Sequence, residues 1–115
     1  MKKNVVKEKS FDFAVRIVNL YKHLSQEKKE FVLSKQILRS GTSVGANVEE
    51  AIGGISKADF RAKLSIAYKE ARETTYWLRL LHASEYLNDE EFDSIFCEAD
   101  ELCKLLFTII KSSTK

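Results

Sequence analysis

The chain has 115 residues, of which 44% are hydrophobic and 31% are charged, and its 19 basic and 17 acidic residues leave a formal net charge of +2. A single domain of this size can bury a stable core without disulfides or metals, and so balanced a charge does not by itself indicate nucleic-acid binding. No apolar run approaches the roughly 20 residues of a membrane span, and no apolar segment follows Met-Lys-Lys as in a signal peptide, so we expect one cytoplasmic domain over residues 1–115.

The first two helices are predicted at about 10–24 and 31–52. Proline is absent and the sequence has only four glycines, which favours long uninterrupted helices. Ser10 is the candidate N-cap of the first helix, and the residues before it are expected to be frayed. Gly53 and Gly54 should end the second helix, since glycine accepts the left-handed conformation that a helix end often needs.

The middle of the second helix has low helix propensity. Gly41 and Gly45 each cost about 0.5–1 kcal/mol relative to alanine, yet the apolar residues around them keep helical spacing from Leu33 to Ile55. The two glycines are four positions apart and therefore share one face. We predict that they form a helix-packing notch, which another backbone or a large ring can approach closely.

The third and fourth helices are predicted at about 57–84 and 89–111. Ser56 and Asn88 are their candidate N-caps. Four helices with short connections predict an all-α, antiparallel up-down-up-down four-helix bundle. The third helix has more apolar surface than one buried seam needs, which indicates a second partner. The candidate oligomer-interface residues are Ile66, Tyr76, Trp77 and Leu80.

No residue set in the sequence amounts to a catalytic or metal site. A di-iron bundle needs a Glu-x-x-His step on two helices, but neither His23 nor His82 has a glutamate three residues before it. Cys97 and Cys103 are six positions apart on a predicted helix, so they cannot pair locally, and we expect two buried thiols. We therefore expect no catalytic residue, no metal and no cofactor.

Carboxylates lie at the edge of the apolar surface of the third helix. Glu70 and Glu73 are one turn apart, and we expect them to pair with cations such as Arg39, with acid–base chemistry as the alternative. Asn47 and Glu50 on the second helix indicate a hydrogen-bonded polar layer, because such layers fix register and assembly state.

Five segments between about residues 10 and 110 carry a family resemblance: Gln36–Glu50, Ser56–Phe60, Leu64–Ala67, Lys69–Thr74 and Tyr76–Leu81. They resemble the bacterial four-helix-bundle family that is also called the 23S rRNA intervening-sequence protein or S23 ribosomal protein family. The motif Arg-Ser-x-x-Ser-x-x-Ala-Asn-x-x-Glu is its most specific part. Ala51 stands where many members carry glycine, which predicts that the second helix continues through it. The motif residues carried over by position, with a mainly structural role, are Arg39, Ser40, Ser43, Asn47, Glu50, Glu70 and Glu73.

The resemblance implies a homo-oligomer, a pentameric ring in the members compared, and kinship with the accessory variability-determinant proteins of diversity-generating retroelements. Those proteins present a basic surface to nucleic acid and to a reverse transcriptase. We therefore expect a non-enzymatic accessory protein whose partners are itself, RNA or DNA, and a reverse transcriptase or another protein, with no membrane partner. The alternative is a protein–protein interaction scaffold with no nucleic-acid role. The candidate nucleic-acid contacts are the basic N-terminal residues Lys2, Lys3, Lys7 and Lys9.

Overall fold

Four α-helices make up almost all of residues 4–113, the part of the chain that the structure, a computed structural model, describes. Successive helices run antiparallel, and each helix packs against two of the others, with α1 and α3 both between α2 and α4. The all-α four-helix bundle predicted from the sequence is thereby confirmed. The helices are α1 (Val5–Gln26), α2 (Leu33–Ile52), α3 (Lys57–Ala83) and α4 (Asp89–Ser112).

Helix α1 begins five residues earlier than predicted. Its N-cap is Asn4, whose Oδ1 accepts a hydrogen bond from the Lys7 backbone N–H at 3.1 Å. Ser10 is buried inside the helix, where its hydroxyl donates to the Lys7 carbonyl at 3.1 Å. The prediction of Ser10 as N-cap was wrong because burial of Val6 and Ser10 against the rest of the bundle supports the additional turn.

Helix α2 begins at Leu33, two residues later than predicted, and Glu30 caps it from the preceding turn. The Glu30 carboxylate accepts hydrogen bonds from the backbone N–H groups of Val32 at 3.3 Å, Leu33 at 3.0 Å and Ser34 at 2.7 Å. Burial alone would raise the pKa of Glu30, but these three donors outweigh it and lower the pKa below its ordinary value. Glu30 thus satisfies N–H groups that have no partner within the helix.

The end of α2 depends on space rather than on a left-handed glycine. Gly53 has a φ of −81°, and no glycine in residues 4–113 has a positive φ, so the predicted left-handed ending was wrong. At Gly54 an added Cβ would lie 2.7 Å from Asp59 Oδ2 and 3.0 Å from the Ala51 carbonyl oxygen. Glycine is favoured here because a side chain would require the end of the Asp59 side chain to move and the Ala51 carbonyl to shift slightly. The helix does continue through Ala51, as the departure from the family pattern predicted.

The N-caps of α3 and α4 are those that the sequence predicted. The Ser56 hydroxyl accepts from the Asp59 N–H at 3.0 Å. Asn88 Oδ1 accepts from the Glu91 N–H at 2.8 Å, and Glu91 Oε1 accepts from the Asn88 N–H at 2.9 Å, which completes a capping box. Each cap joins residues only three positions apart, so both could be predicted without knowledge of the tertiary structure.

The glycine notch of α2 is occupied by α1. A Cβ at Gly41 would lie 2.7 Å from Ile17 Cγ1 and 2.8 Å from Ile17 Cγ2, and a Cβ at Gly45 would lie 3.3 Å from the Ser10 carbonyl oxygen. The two helices therefore approach one another more closely than alanine would allow at Gly41.

The buried core consists of two apolar clusters, one toward each end of the bundle. None of the helices in the described residues combines the length and the apolar character that crossing a membrane requires. The first cluster is Phe13, Ile17, Leu24, Ile37, Leu78, Leu81, Leu87, Ile95, Ala99 and Leu102. The second is Val6, Val44, Val48, Ala51, Leu64, Ala67, Ala71, Cys103 and Leu106.

Candidate functional site

Helices α2 and α3 are joined by an ionic cluster, which we call the Arg39 cluster: Arg39, Glu70, Glu73 and Trp77. Arg39 Nη1 donates to Glu70 Oε2 at 2.9 Å, and Arg39 Nη2 donates to Glu73 Oε2. Trp77 Nε1 donates to the same Glu73 oxygen at 2.9 Å. Both carboxylates are thus held by fixed donors, as expected for partners of a cation and unlike a free acid–base pair.

A buried hydrogen bond lies beside the Arg39 cluster. The Thr74 hydroxyl, on α3, lies 2.9 Å from the Ser40 hydroxyl, on α2, and 2.8 Å from the Glu70 carbonyl oxygen. Ser40 and Thr74 are both fully buried. The helical spacing of the third helix predicted Thr74 within its apolar seam but not its hydrogen bond to Ser40, although a threonine at such a position needs a partner for its hydroxyl.

The remaining motif residues do not join these groups in one layer. Asn47 Nδ2 donates to the Ser43 carbonyl oxygen at 2.9 Å and to the Ser43 hydroxyl at 3.1 Å, both within α2. Glu50 is exposed and forms an ion pair with Lys63 of α3 at 2.9 Å. The polar residues therefore act as separate links between or within helices, and the single continuous polar layer that we expected is not formed.

A family model and a solved structure each match nearly the whole chain. Residues 2–108 match the family model described as 23S rRNA-intervening sequence protein. The chain belongs to this family. A crystal structure described as a protein with unknown function from the S23 ribosomal protein family of Bacteroides thetaiotaomicron VPI-5482 is 62% identical, with a TM-score of 0.93 over 96% of this chain and 99% of that chain. Among curated proteins, none matches.

The chain carries a basic and aromatic stripe on the exposed side of α3, which we call the α3 outer stripe: Lys69, Arg72, Tyr76 and Arg79. All four are exposed. Within residues 4–113, no carboxylate lies within ion-pair distance of the three cations of this stripe. The Arg79 guanidinium carbon lies 5.8 Å from the centre of the Tyr76 ring. This stripe was not predicted from the sequence, although its spacing of three, four and three positions follows one helix face.

Two of the four N-terminal lysines predicted to contact nucleic acid form ion pairs with other helices of the bundle. Lys7 Nζ lies 3.9 Å from Glu49 Oε1, and Lys9 Nζ lies 2.7 Å from Glu101 Oε1. The hydrogen bond and charge of Glu101 raise the pKa of Lys9. Lys7 and Lys9 thus join α1 to α2 and α4 instead of forming a free basic arm. Lys2 and Lys3 lie outside the described residues.

The four candidate interface residues on α3 differ in how far they are exposed to solvent. Ile66 is 44% exposed and Tyr76 is 49% exposed. Trp77 is only partly exposed and packs against the chain's own core, and Leu80 is also partly buried. Contrary to expectation, Trp77 therefore does not need a second copy to cover it, because it packs on the core of its own bundle and donates its indole N–H to Glu73.

A more exposed apolar surface lies on α1. Phe11 is 64% exposed and Val15 is 46% exposed, one turn apart. Phe11 borders a groove of about 270 Å³ between α1 and α2, which we call the α1–α2 groove. The groove is lined by Lys7, Ser10, Phe11, Ala14, Thr42, Gly45, Ala46 and Glu49.

Both histidines line one open surface pocket, together with the charged residues Lys28, Glu85, Asp89 and Glu91. His23 Nδ1 lies 3.2 Å from Glu27 Oε2, and His82 Nε2 lies 2.7 Å from Asp89 Oδ1. Across residues 4–113, no three or more His, Cys, Asp or Glu side chains are grouped so that they could hold a metal ion.

One of the two cysteines departs from the prediction. Cys97 is exposed and not buried as expected, because it faces outward from α4, whereas Cys103 is buried. Burial raises the pKa of the Cys103 thiol, although the Arg72 charge acts in the opposite direction.

Proposed function

We propose that this member of the 23S rRNA-intervening sequence protein family is a non-enzymatic, cytoplasmic, homo-oligomeric accessory protein that associates with nucleic acid. The observation that supports this proposal most is the α3 outer stripe, which displays three cations without carboxylate partners. Of the exposed cations elsewhere, Lys9 and Lys104 are paired with Glu101 and Asp100. Lys22, Lys28 and Lys29 have no ion pair within the described part of the chain either, but they lie at the end of α1 and in the following turn and do not follow one helix face. A cation with no carboxylate partner is available to a phosphate group.

Assembly would strengthen such an interaction. A single stripe is short, but a pentamer would present five copies, and the electrostatic attraction for a polyanion increases with the number of phosphates neutralised. The exposed Phe11, which borders the α1–α2 groove, and Val15 one turn away support the assembly, since neighbouring exposed apolar side chains often mark an interaction surface.

Assembly is tested by light scattering at micromolar concentration. We expect a pentamer for the wild type and a smaller species for Phe11→Lys, because a charge would then have to be buried in the contact. Ile55→Lys is the matched control, since Ile55 is almost completely exposed in the α2–α3 connection. A monomeric wild type would contradict the homo-oligomer.

Nucleic-acid association is tested by fluorescence anisotropy with RNA and DNA between about 50 and 200 mM salt, where we expect affinity to fall steeply. The variant Lys69→Glu/Arg72→Glu/Arg79→Glu should lose binding. A control with the same change in net charge reverses three exposed lysines near the end of α1, namely Lys22, Lys28 and Lys29. Absence of salt-dependent binding by the wild type, or an equal loss in both variants, would contradict the proposal.

The second candidate is a protein–protein interaction scaffold with no nucleic-acid role, in which the reverse transcriptase or another protein is the partner. The α1–α2 groove favours it, because apolar Phe11 and Ala14 lie beside the Lys7–Glu49 ion pair in a concave surface. This candidate replaces the first if the wild type binds no nucleic acid while Phe11→Lys leaves the oligomer unchanged.

A further inference from the structure

We infer that the α3 outer stripe binds single-stranded nucleic acid in preference to duplex, with Tyr76 as a stacking platform for a base and Lys69 and Arg72 as phosphate contacts. This inference rests on the proposed function, because it names the class of ligand that the same stripe would take.

The dimensions of the stripe suit a short length of extended strand. From Lys69 to Arg79 the stripe covers about 15 Å at the rise of an α-helix. Its residues are exposed, and the aromatic ring lies between the cations Arg72 and Arg79 along the helix. This alternation of positive charge with an aromatic face is the combination with which proteins hold single strands without reading sequence.

Tyr76 is the aromatic residue of α3 that remains available for stacking. Its residue surface is 49% exposed, whereas Trp77 packs on the core and donates its indole N–H to Glu73. The Trp77 ring meets Tyr76 edge-on, with centroids 5.1 Å apart, and the Arg79 guanidinium lies 5.8 Å from the Tyr76 centroid. These two neighbours hold the ring in place, so that little conformational entropy is lost when a base stacks on it.

The carboxylates nearest the stripe already have cationic partners. Glu70 and Glu73 flank it on α3 and are held by Arg39. On the α4 side, Asp100 pairs with Lys104 at 3.0 Å. Arg39 offsets only one of the two glutamate charges, so the three stripe cations and Arg39 against Glu70 and Glu73 leave a net charge of +2, which attracts phosphate.

Duplex is disfavoured by the position of α3 in the bundle. A helix that reads duplex enters the major groove, which is about 12 Å wide and admits little more than one helix. Because α3 packs against α2 on one side and α4 on the other, it cannot be inserted in this way. Bases inside a duplex are also stacked on one another and cannot reach Tyr76, so a duplex would gain only the phosphate contacts.

The decisive variants are Tyr76→Ala and Tyr76→Phe, measured by fluorescence anisotropy on single-stranded RNA, single-stranded DNA and a duplex of the same sequence. Loss of one stacked base should weaken single-strand binding by about 5- to 150-fold in Tyr76→Ala. Tyr76→Phe should bind as the wild type does, because it keeps the ring. Phe107→Ala is the matched control, since Phe107 is a similarly exposed aromatic residue on α4.

Salt dependence separates stacking from charge. Tyr76→Ala should leave the slope of log affinity against log salt unchanged, whereas Lys69→Gln should reduce it by about 0.7 for a single strand. Unchanged single-strand affinity in Tyr76→Ala, or tighter binding of duplex than of single strand by the wild type, would overturn this inference and leave the proposed function in place. If neither single strand nor duplex binds the wild type, both are overturned.

Discussion

Replacing Gly41 by alanine tests how closely α1 and α2 pack. The added Cβ would lie 2.7 Å from Ile17 Cγ1 and 2.8 Å from Ile17 Cγ2, whereas non-bonded carbon atoms prefer about 3.5–4.0 Å. Ile17 is fully buried, and both contacting atoms are attached to its branched Cβ, so rotation of the side chain cannot clear the overlap. The two helices must therefore separate by several tenths of an ångström or more.

Two opposing terms set the size of the effect. Overpacking of a well-packed core costs about 1–3 kcal/mol, and replacing glycine by alanine within a helix returns about 0.5–1 kcal/mol. We expect Gly41→Ala to lower the free energy of unfolding by about 1 kcal/mol on balance. Gly45→Ala should be nearly neutral, because its Cβ would meet the Ser10 carbonyl oxygen at 3.3 Å. Gly45→Leu should cost about 1–3 kcal/mol or disrupt assembly.

The assay is urea unfolding followed by circular dichroism at a fixed protein concentration. A double-mutant cycle with Ile17→Ala identifies the cause, since removing the isoleucine branches should make the alanine at position 41 favourable. If Gly41→Ala proves more stable than the wild type by the full helix-propensity gain, the close approach of α1 and α2 is refuted.

Three further predictions concern single contacts. Glu30→Gln should destabilise the protein by about 0.5–2 kcal/mol at neutral pH, as loss of a helix cap does. Because the folded-state pKa of Glu30 is lowered, its contribution is present above the unfolded pKa and is lost as pH falls through the folded pKa, so acid urea titrations should show the two proteins converging. Thr74→Val should cost about 1–3 kcal/mol by leaving the Ser40 hydroxyl without its partner, and Ser40→Ala in the same chain should restore much of the loss; additive losses would contradict this. Iodoacetamide should modify Cys97 before Cys103, as followed by peptide mass spectrometry, and equal rates would contradict the burial of Cys103.

The helices and two of their caps could be predicted because their signals are local. Ser56 and Asn88 each bond to a backbone N–H three residues later, which the order of residues alone reveals. The starts of α1 and α2 could not be placed in this way. Burial of Val6 extends α1. The Glu30 carboxylate caps α2 from the preceding turn, and the conformation of that turn could not be predicted from the sequence.

The candidate site was predictable only in part. The pairing of Arg39 with Glu70 and Glu73 follows from a requirement that half-buried carboxylates have partners. The spacing of apolar residues along α3 did not show which of two adjacent aromatic residues, Tyr76 or Trp77, faces solvent. That depends on how α3 is rotated about its axis between α2 and α4.

The ion pairs between α1 and α4 connect the two ends of the chain. Lys9 and Glu101 lie 2.7 Å apart although 92 positions separate them in sequence, and Arg16 pairs with Glu98 in the same seam. During synthesis α1 can pack on α2, and α2 on α3, as soon as each pair has emerged, but the side of α1 that faces α4 has to wait for that helix. That side of α1 therefore stays uncovered until α4 has been made, and during this interval a nascent chain is open to capture by chaperones or by another copy.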